Sequence, residues 1–598
     1  MATSNCNARL YDTLCRVLDS LRAEAPPAKT IYHPPDGNQD AVIQARSRAL
    51  LHLFLKARFG LVHFAEREAL VTDGPHDGGV VAYYIDRRNK VIYVLQSKFR
   101  ATSSNFVSTN MTPSDLLKMD VGRIMKGERR DEDRVAYNDR IVNGLQRAIR
   151  KLPDAGSYTT HVVLLGNTKN LSDHQIKKLI EGYDVDQYPH DRAYRDLLFP
   201  VINGTYYTDP NLTIEINLAN LKGDTHLDYD VKTESLRPNI KLLFVPTREV
   251  GRIMHTYKNS ILTFNPRSFL ELSKNPVNQD IEASIRNKRS NEFALFNNGI
   301  TIIADGTSIS SDTAKQGTAQ VVLRNPQLVN GAQTAYTLAR IYEDCTSSND
   351  FAIFRGKEVL LRVITFVRLT ESRQAARTEL IGAISKASNS QTKVEESDRR
   401  SNDPVQLKLQ KEFFECYGLY YERKRGEFSD GRHDGYLSSD LVVNRERLVR
   451  VALACDYRAN QARSSISKFF KGSALASLLK TRDTGKYAYG YEVLALSDKK
   501  RKQKPKVRGD RYHVKSYGQA LRYGQYAVVA VCANLGQPAQ RTESEALEAA
   551  LTQWTKFEAW AAKQRSNGAY RSGTSFDYAN YYKGSTINTD LQRYGFSL

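Results

Sequence analysis

The spacing of apolar positions changes several times along the chain. Residues 7–24 and 40–59 carry apolar side chains at helical intervals, and the stretch between them, APPAKTIYHPPDG, holds prolines that a helix interior does not accommodate. Two helices separated by a break are predicted. From residue 79 the texture shifts to β-branched and aromatic residues. The runs 79–86 and 91–98, joined by Arg87, Arg88, Asn89 and Lys90, have the form of a hairpin, with Asp86 as a turn residue. Further strands at 161–166 and 212–216, with amphipathic stretches between them, make residues 1–235 a mixed α/β domain. A second α/β domain is predicted over 236–430. It opens with KLLFVPTREVGRIMHTY, a strand running into a helix, and continues with strands at 299–304, 319–323, 327–329 and 359–366 and a helix over 333–342. After about residue 400 the periodicity is helical, at 405–417 and 440–455, so 431–598 reads as a mostly helical domain without further strands.

Composition narrows the class. No apolar run approaches the roughly 20 residues of a membrane span, and the start MATSNCNARLYDTLCRVLDS lacks the basic-then-apolar order of a secretory signal. No membrane association is expected, and the cytoplasm is the default address. Six cysteines without a CxxC pair suggest reduced thiols rather than a zinc cluster or a disulfide framework. The net charge of +21 is concentrated. Residues 441–540 hold 20 Lys and Arg against 6 Asp and Glu. Within them, DKKRKQKPKVRGDR contributes Lys502, Lys504, Lys506 and Arg508, and Tyr487, Tyr489, Tyr491, Tyr512, Tyr517, Tyr523 and Tyr526 are threaded through the stretch. Phosphate neutralisation combined with base stacking would use such a composition, so nucleic acid is the expected partner, DNA favoured over RNA. A basic surface that only aids solubility is the plain alternative.

The hairpin carries candidate chemistry. If its turn centres near Arg88, pairing returns Lys98 to the neighbourhood of Gly78 and so towards Asp77. Acid and lysine would meet at one end, with Gln96 offering an amide oxygen. A metal-dependent phosphodiesterase needs oxygen ligands for Mg²⁺ or Mn²⁺ and a lysine beside the attacking water. Asp77 and Gln96 are the candidate metal ligands and Lys98 the candidate catalytic lysine, with Asp73, Glu66 and Glu68 as auxiliary acids. The segment resembles the PD-(D/E)xK nuclease core in its QxK form, found in Mrr-type restriction nucleases. That resemblance implies a restriction-endonuclease-like mixed sheet. The family pattern places a second aspartate where this chain has Val81.

Two segments of the middle domain, FALFNNGITII and RNPQLVNGAQTAYTLARIY, each set Asn-Gly beside an apolar strand. Either one alone reads as a tight turn. In the second, the free N–H groups of the following helix could hold a phosphate, with Gln333 and Thr334 projecting towards it. Downstream lie Asn389, Gln391, Asp398 and the basic cluster Arg423, Lys424 and Arg425, for which a solvated charged helix followed by a polar strand is the plain reading. Taken in order, NPRSFL, VNQDI, FNNGITI, NPQLVNGAQT, SNSQTKVEESDRRSND and YYERKRGE resemble the signature of the abortive infection phage resistance (AIPR) family, including Arg267, Asn278, Asn297, Asn298, Gly299, Asn330, Gly331, Gln333 and Thr334. VNGAQT is also similar to an element of ParB/sulfiredoxin-like domains, where nucleotide binding is expected; Thr334 replaces its closing arginine. The AIPR resemblance implies antiphage defence, alone, as a homo-oligomer or with defence-system partner proteins. Two readings stay open: a metal-dependent nuclease acting on phage or host nucleic acid, and a catalytically inactive nuclease-fold sensor. A middle-domain NTPase is a minor third, since no Walker A motif is present.

Overall fold

The computed structural model describes residues 2–35, 37–206, 212–219, 226–234, 236–265, 276–287, 289–310, 318–345, 347, 349–366, 371–388, 396–504, 509–565, 570–572 and 575–598. The chain divides into two compact units, Thr3–Gln391 with Gly426–Ser438 and Thr392–Arg425 with Ser439–Leu598.

In the first unit, helices Ala2–Ala23 and Gln39–Phe59 replace the two predicted ones with nearly the same bounds. Asn38 caps the second by accepting from the Ala41 amide, and Gly60 in the left-handed region ends it. Strands β1 (Ala82–Asp86) and β2 (Val91–Ser97) form the expected antiparallel hairpin, Ala82 opposite Leu95. Asp86 closes its turn by accepting from the Arg88 and Asn89 amides. β3 (Thr159–Leu165) lies parallel to β2, and β4 (Asp184–Tyr188) parallel to β3. One face of this mixed sheet, through Tyr83, Ile92, Val94, Val162 and Leu164, is buried with Leu116, Ile124 and Ile141. Phe59 stacks on Tyr84 at 3.9 Å and approaches Tyr93 at 5.1 Å.

The rest of this unit is built on two more sheets. β5 (Thr213–Ala219), β9 (Gly306–Ser310) and β10 (Thr318–Arg324) form one, in the order β5-β10-β9. The strand predicted at 212–216 for the first domain therefore pairs with β10 of the middle region. β6 (Leu227–Asp230), β7 (Pro238–Pro246), β8 (Ile300–Ala304), β11 (Gln327–Asn330) and β12 (Glu358–Phe366) form the other, ordered β11-β8-β12-β7-β6, with β8 and β12 parallel. Helices Thr247–Tyr257 and Ala332–Glu343 bury Ile253, Met254, Ala335 and Leu338 in its core.

The second unit is mostly helical. Helices Pro404–Tyr417, Arg445–Cys455, Thr484–Lys502, Gln525–Val531 and Glu543–Gln564 share one core around Leu453, Tyr487, Val529 and Trp554. It also contains strands: β13 (Tyr420–Glu422), in keeping with the polar strand of the plain reading, pairs in parallel with β14 (Val442–Asn444), which the helical periodicity at 440–455 does not anticipate. Three-residue strands are too short for a period-2 pattern to declare itself. Among the described residues no helix is long and apolar enough to cross a membrane.

Candidate functional site

The hairpin end is assembled by a tight turn packed under a short helix. Gly78 and Gly79 both have positive φ, and a Cβ on Gly79 would stand 2.6 Å from the Lys118 carbonyl oxygen, so only glycine lets the Asp-Gly-Gly turn approach this closely. The Asp120 amide donates to the Gly78 carbonyl at 2.8 Å. Asp77 caps its own turn: its carboxylate accepts from the Gly79 amide at 2.9 Å and the Gly74 amide at 3.3 Å. Burial raises the Asp77 pKa despite these bonds.

Lys98 follows β2, its amide donating to the Leu165 carbonyl. Its ammonium meets Asp115 at 3.2 Å, and the lysine side chain remains 40% exposed. Asp115 sits on the Pro113–Leu117 helix and closes a capping box with Thr112. Burial alone would raise the Asp115 carboxyl; the Thr112 amide and hydroxyl and the Lys98 ammonium outweigh it and hold the group below its ordinary value. Gln96 is buried, with its amide oxygen accepting from the Ser97 amide at 2.9 Å. The acid placed on Lys98 is thus Asp115, which the sequence reading passed over. Thr112-Pro113-Ser114-Asp115 does announce a helix start, but the return of that start to the end of β2 depends on tertiary packing. Val81 is buried one step beyond the Ala82–Leu95 pair, its amide donating to the Leu95 carbonyl.

The auxiliary acids separate. Glu68 binds Lys29 at 2.7 Å and the Tyr32 hydroxyl at 2.5 Å, with His52 at 3.4 Å. Burial would raise Glu68, but His52, Lys29 and Tyr32 bring it down to about 2. Asp73 pairs with Arg48 at 2.9 Å, and Glu66 is exposed. Among the described residues no group of three or more His, Cys, Asp or Glu side chains is placed to hold a metal ion.

In the middle region the two Asn-Gly turns come together. β8 and β11 are neighbours, and a Cβ on Gly331 would stand 3.0 Å from the Gly299 carbonyl oxygen. Gly331, at φ 85°, is the N-cap of the Ala332–Glu343 helix, and the Asn330 side chain accepts from its amide. Asn297 donates to the Thr334 hydroxyl at 3.0 Å and accepts from the Gly299 amide at 3.0 Å. Gln333 donates to Asn278 at 2.7 Å, turning sideways along the helix start. Asn278 is 2% exposed, and its amide nitrogen has no hydrogen-bond partner among the described residues. Asn298 is exposed. Arg267, Asn389 and Gln391 lie outside the described residues.

The cluster at 423–425 departs from a solvated face. Arg423 binds Gln410 at 2.9 Å and Asn402 at 2.8 Å, Lys424 is 3% exposed, and Arg425 is half-buried. Arg445 donates to the Arg423 carbonyl and forms a fully buried ion pair with Asp398. Of the basic tract, Lys502 and Lys504 are exposed, while Lys506 and Arg508 lie outside the described residues. Tyr487, Tyr489 and Tyr491 belong to the core, because the Thr484–Lys502 helix is covered by neighbours on several sides. They are withdrawn from base stacking. Tyr512, flanked by the guanidinium groups of Arg501 and Arg511 at 4.9 Å each, and Tyr523, with Arg522 at 4.7 Å, keep the basic-aromatic character.

These features define a multidomain α/β protein with a charged, partly exposed strand end in one unit and a basic-aromatic surface on a helical one. The family model described as AIPR protein matches residues 262–507, a span that takes in every middle-domain motif from NPRSFL onward and most of the basic tract. The match supports the AIPR family and, with it, an abortive-infection role against phage. No curated protein and no solved structure matches the chain.

Proposed function

We propose that the chain is an antiphage defence protein whose N-terminal region is a metal-dependent nuclease acting on phage or host nucleic acid, with the basic helical unit holding the substrate. The observation that carries this reading is the Lys98–Asp115 pair beside Gln96 at the end of β2. It stands on a mixed sheet in which an antiparallel hairpin feeds two parallel strands, the arrangement expected of a restriction-endonuclease-like core. Asp77, Asp115 and the Gln96 amide offer only oxygen donors. One or two carboxylates, completed by water and phosphate oxygens, are what Mg²⁺ commonly takes, and Mn²⁺ accepts the same set. Such an ion, when bound, would activate a water and neutralise phosphate charge. Lys98 would orient an attacking water and stabilise charge developing on the phosphate, while Asp115 fixes the ammonium at the strand end. Lys502 and Lys504, both exposed, neutralise substrate phosphates.

Val81 favours a second reading. An apolar residue where the nuclease pattern has its second aspartate suits a sensor that keeps the fold, binds nucleic acid or a phage protein, and acts through partners. Incubating the protein with plasmid, linear and single-stranded DNA and with RNA, in Mg²⁺ or Mn²⁺, separates the two. The nuclease reading expects cleavage of at least one substrate, lost in Lys98→Ala. If wild type and Lys98→Ala behave alike under every condition while binding persists, the second reading holds.

A further inference from the structure

Away from the hairpin end, the first unit contains a cavity of about 710 Å³, within the range of small-molecule sites. It lies among the Gln39–Phe59, Thr247–Tyr257 and Ala332–Glu343 helices and the 426–438 segment. Neither the hairpin chemistry nor the Asn-Gly turns use it.

One wall is a run of rings. His63 stacks on His255 at 5.9 Å, His255 stands 5.7 Å from Tyr342, and Tyr342 stands 5.0 Å from Phe351. His255 is uncharged at neutral pH, burial being the first cause of a pKa near 4. His255, Tyr342 and Phe351 therefore offer an uncharged stacking surface.

Opposite in character is Lys258, only 7% exposed. Its ammonium stands 4.0 Å from Asp430 and 3.8 Å from Asp434, beyond hydrogen-bond reach. No hydrogen bond to its Nζ is made among the described residues. The backbone at Lys258 has φ 41° and ψ −125°, a conformation residues with side chains rarely hold unless the surroundings impose it. The fold thus presents a buried ammonium to the cavity, held at ion-pair distance by two carboxylates and 5.8 Å from the Tyr206 ring centroid.

The other charges are paired. Lys56 meets Glu24 at 3.3 Å, Arg67 also pairs with Glu24, and Arg340 holds both Glu343 and Asp430 at 2.8 Å. Of the charged groups, Lys56 and Lys258 line the cavity together with Glu24, Glu343 and Asp434. A polyanionic ligand would find no net opposite charge here and would lose its hydration. A neutral heteroaromatic that both accepts and donates finds Lys258 as donor, Glu343 and Asp434 as acceptors, and a ring surface to stack on.

We propose that this cavity binds a neutral nucleoside or free nucleobase, its ring against His255 and Tyr342 and its acceptor atoms towards Lys258. The site is separate from the hairpin end and does not depend on whether the protein cleaves nucleic acid.

Full-length protein should be tested by equilibrium dialysis and thermal shift with adenosine, guanosine, cytidine and uridine and with the corresponding 5′-triphosphates. At least one nucleoside is expected to bind saturably and raise Tm, with its triphosphate weaker by about ten-fold or more. Glu343→Gln should weaken that nucleoside by about ten-fold. Lys258→Met should do the same, but it leaves Asp430 and Asp434 short of a cation and can cost folding. Glu343, with a side chain 39% exposed, therefore carries the test. Absence of binding by all four nucleosides, equal or tighter binding of the triphosphate, or an affinity unmoved in a folded Glu343→Gln protein would each overturn the proposal.

Discussion

The end of the β1–β2 hairpin and the paired Asn-Gly turns are both polar and both stand where strands give way to turns, yet they spend their polar groups differently. At the turns, Asn297 bonds Thr334 and the Gly299 amide, Gln333 bonds Asn278, and Asn330 bonds the Gly331 amide. Side-chain amides there bond to nearby backbone, hydroxyl and amide groups and hold two strand ends and a helix start in register. At the hairpin end, Lys98 has one carboxylate partner at 3.2 Å and keeps 40% of its side chain exposed. A locally bonded amide cluster is suited to framing, whereas a lightly engaged ammonium can exchange its partner for a phosphate.

That contrast can be broken by mutation. The largest loss of stability is expected from Gly299→Ala, because φ is 81° and the new Cβ would stand 2.8 Å from the Leu360 carbonyl oxygen; roughly 3 kcal/mol should appear in urea unfolding. Asn297→Ala removes two bonds at a half-buried position and should cost about 1–2 kcal/mol by the same measurement. Lys98→Ala breaks only a partly exposed ion pair, so its unfolding midpoint should move by less than about 1 kcal/mol. A Lys98 variant as damaging as Gly299→Ala would erase the distinction between framing and working regions. Smallest of all should be the stability effect of the Lys502→Ala, Lys504→Ala double variant, both side chains being exposed. Its effect belongs to binding: the slope of log affinity against log salt for duplex DNA should fall by about two.

Much of the fold was legible in the sequence because long elements declare their period. The Gln39–Phe59 helix, β2, β12 and the Ala332–Glu343 helix all fall within a residue or two of expectation, while β1 starts three residues later. β14 was hidden by its shortness, and the pairing of β5 with β10 spans a separation that local pattern does not encode. At the candidate site the sequence pointed to Lys98 and Asp77, but Asp115 required tertiary knowledge. So did the fate of Tyr487, Tyr489 and Tyr491, whose composition suggested stacking on bases and whose helix is instead packed into the core. Lys424 shows the same limit, a charge in a basic run that folding buries.

The central claim is that the Lys98–Asp115 end of the hairpin does work the framing turns do not. Phage plating on cells expressing wild type or Lys98→Ala, with equal soluble protein and unchanged unfolding, tests it most directly. The account predicts that wild-type cells resist phage and that Lys98→Ala abolishes the protection. Full protection by a folded Lys98→Ala protein would contradict it.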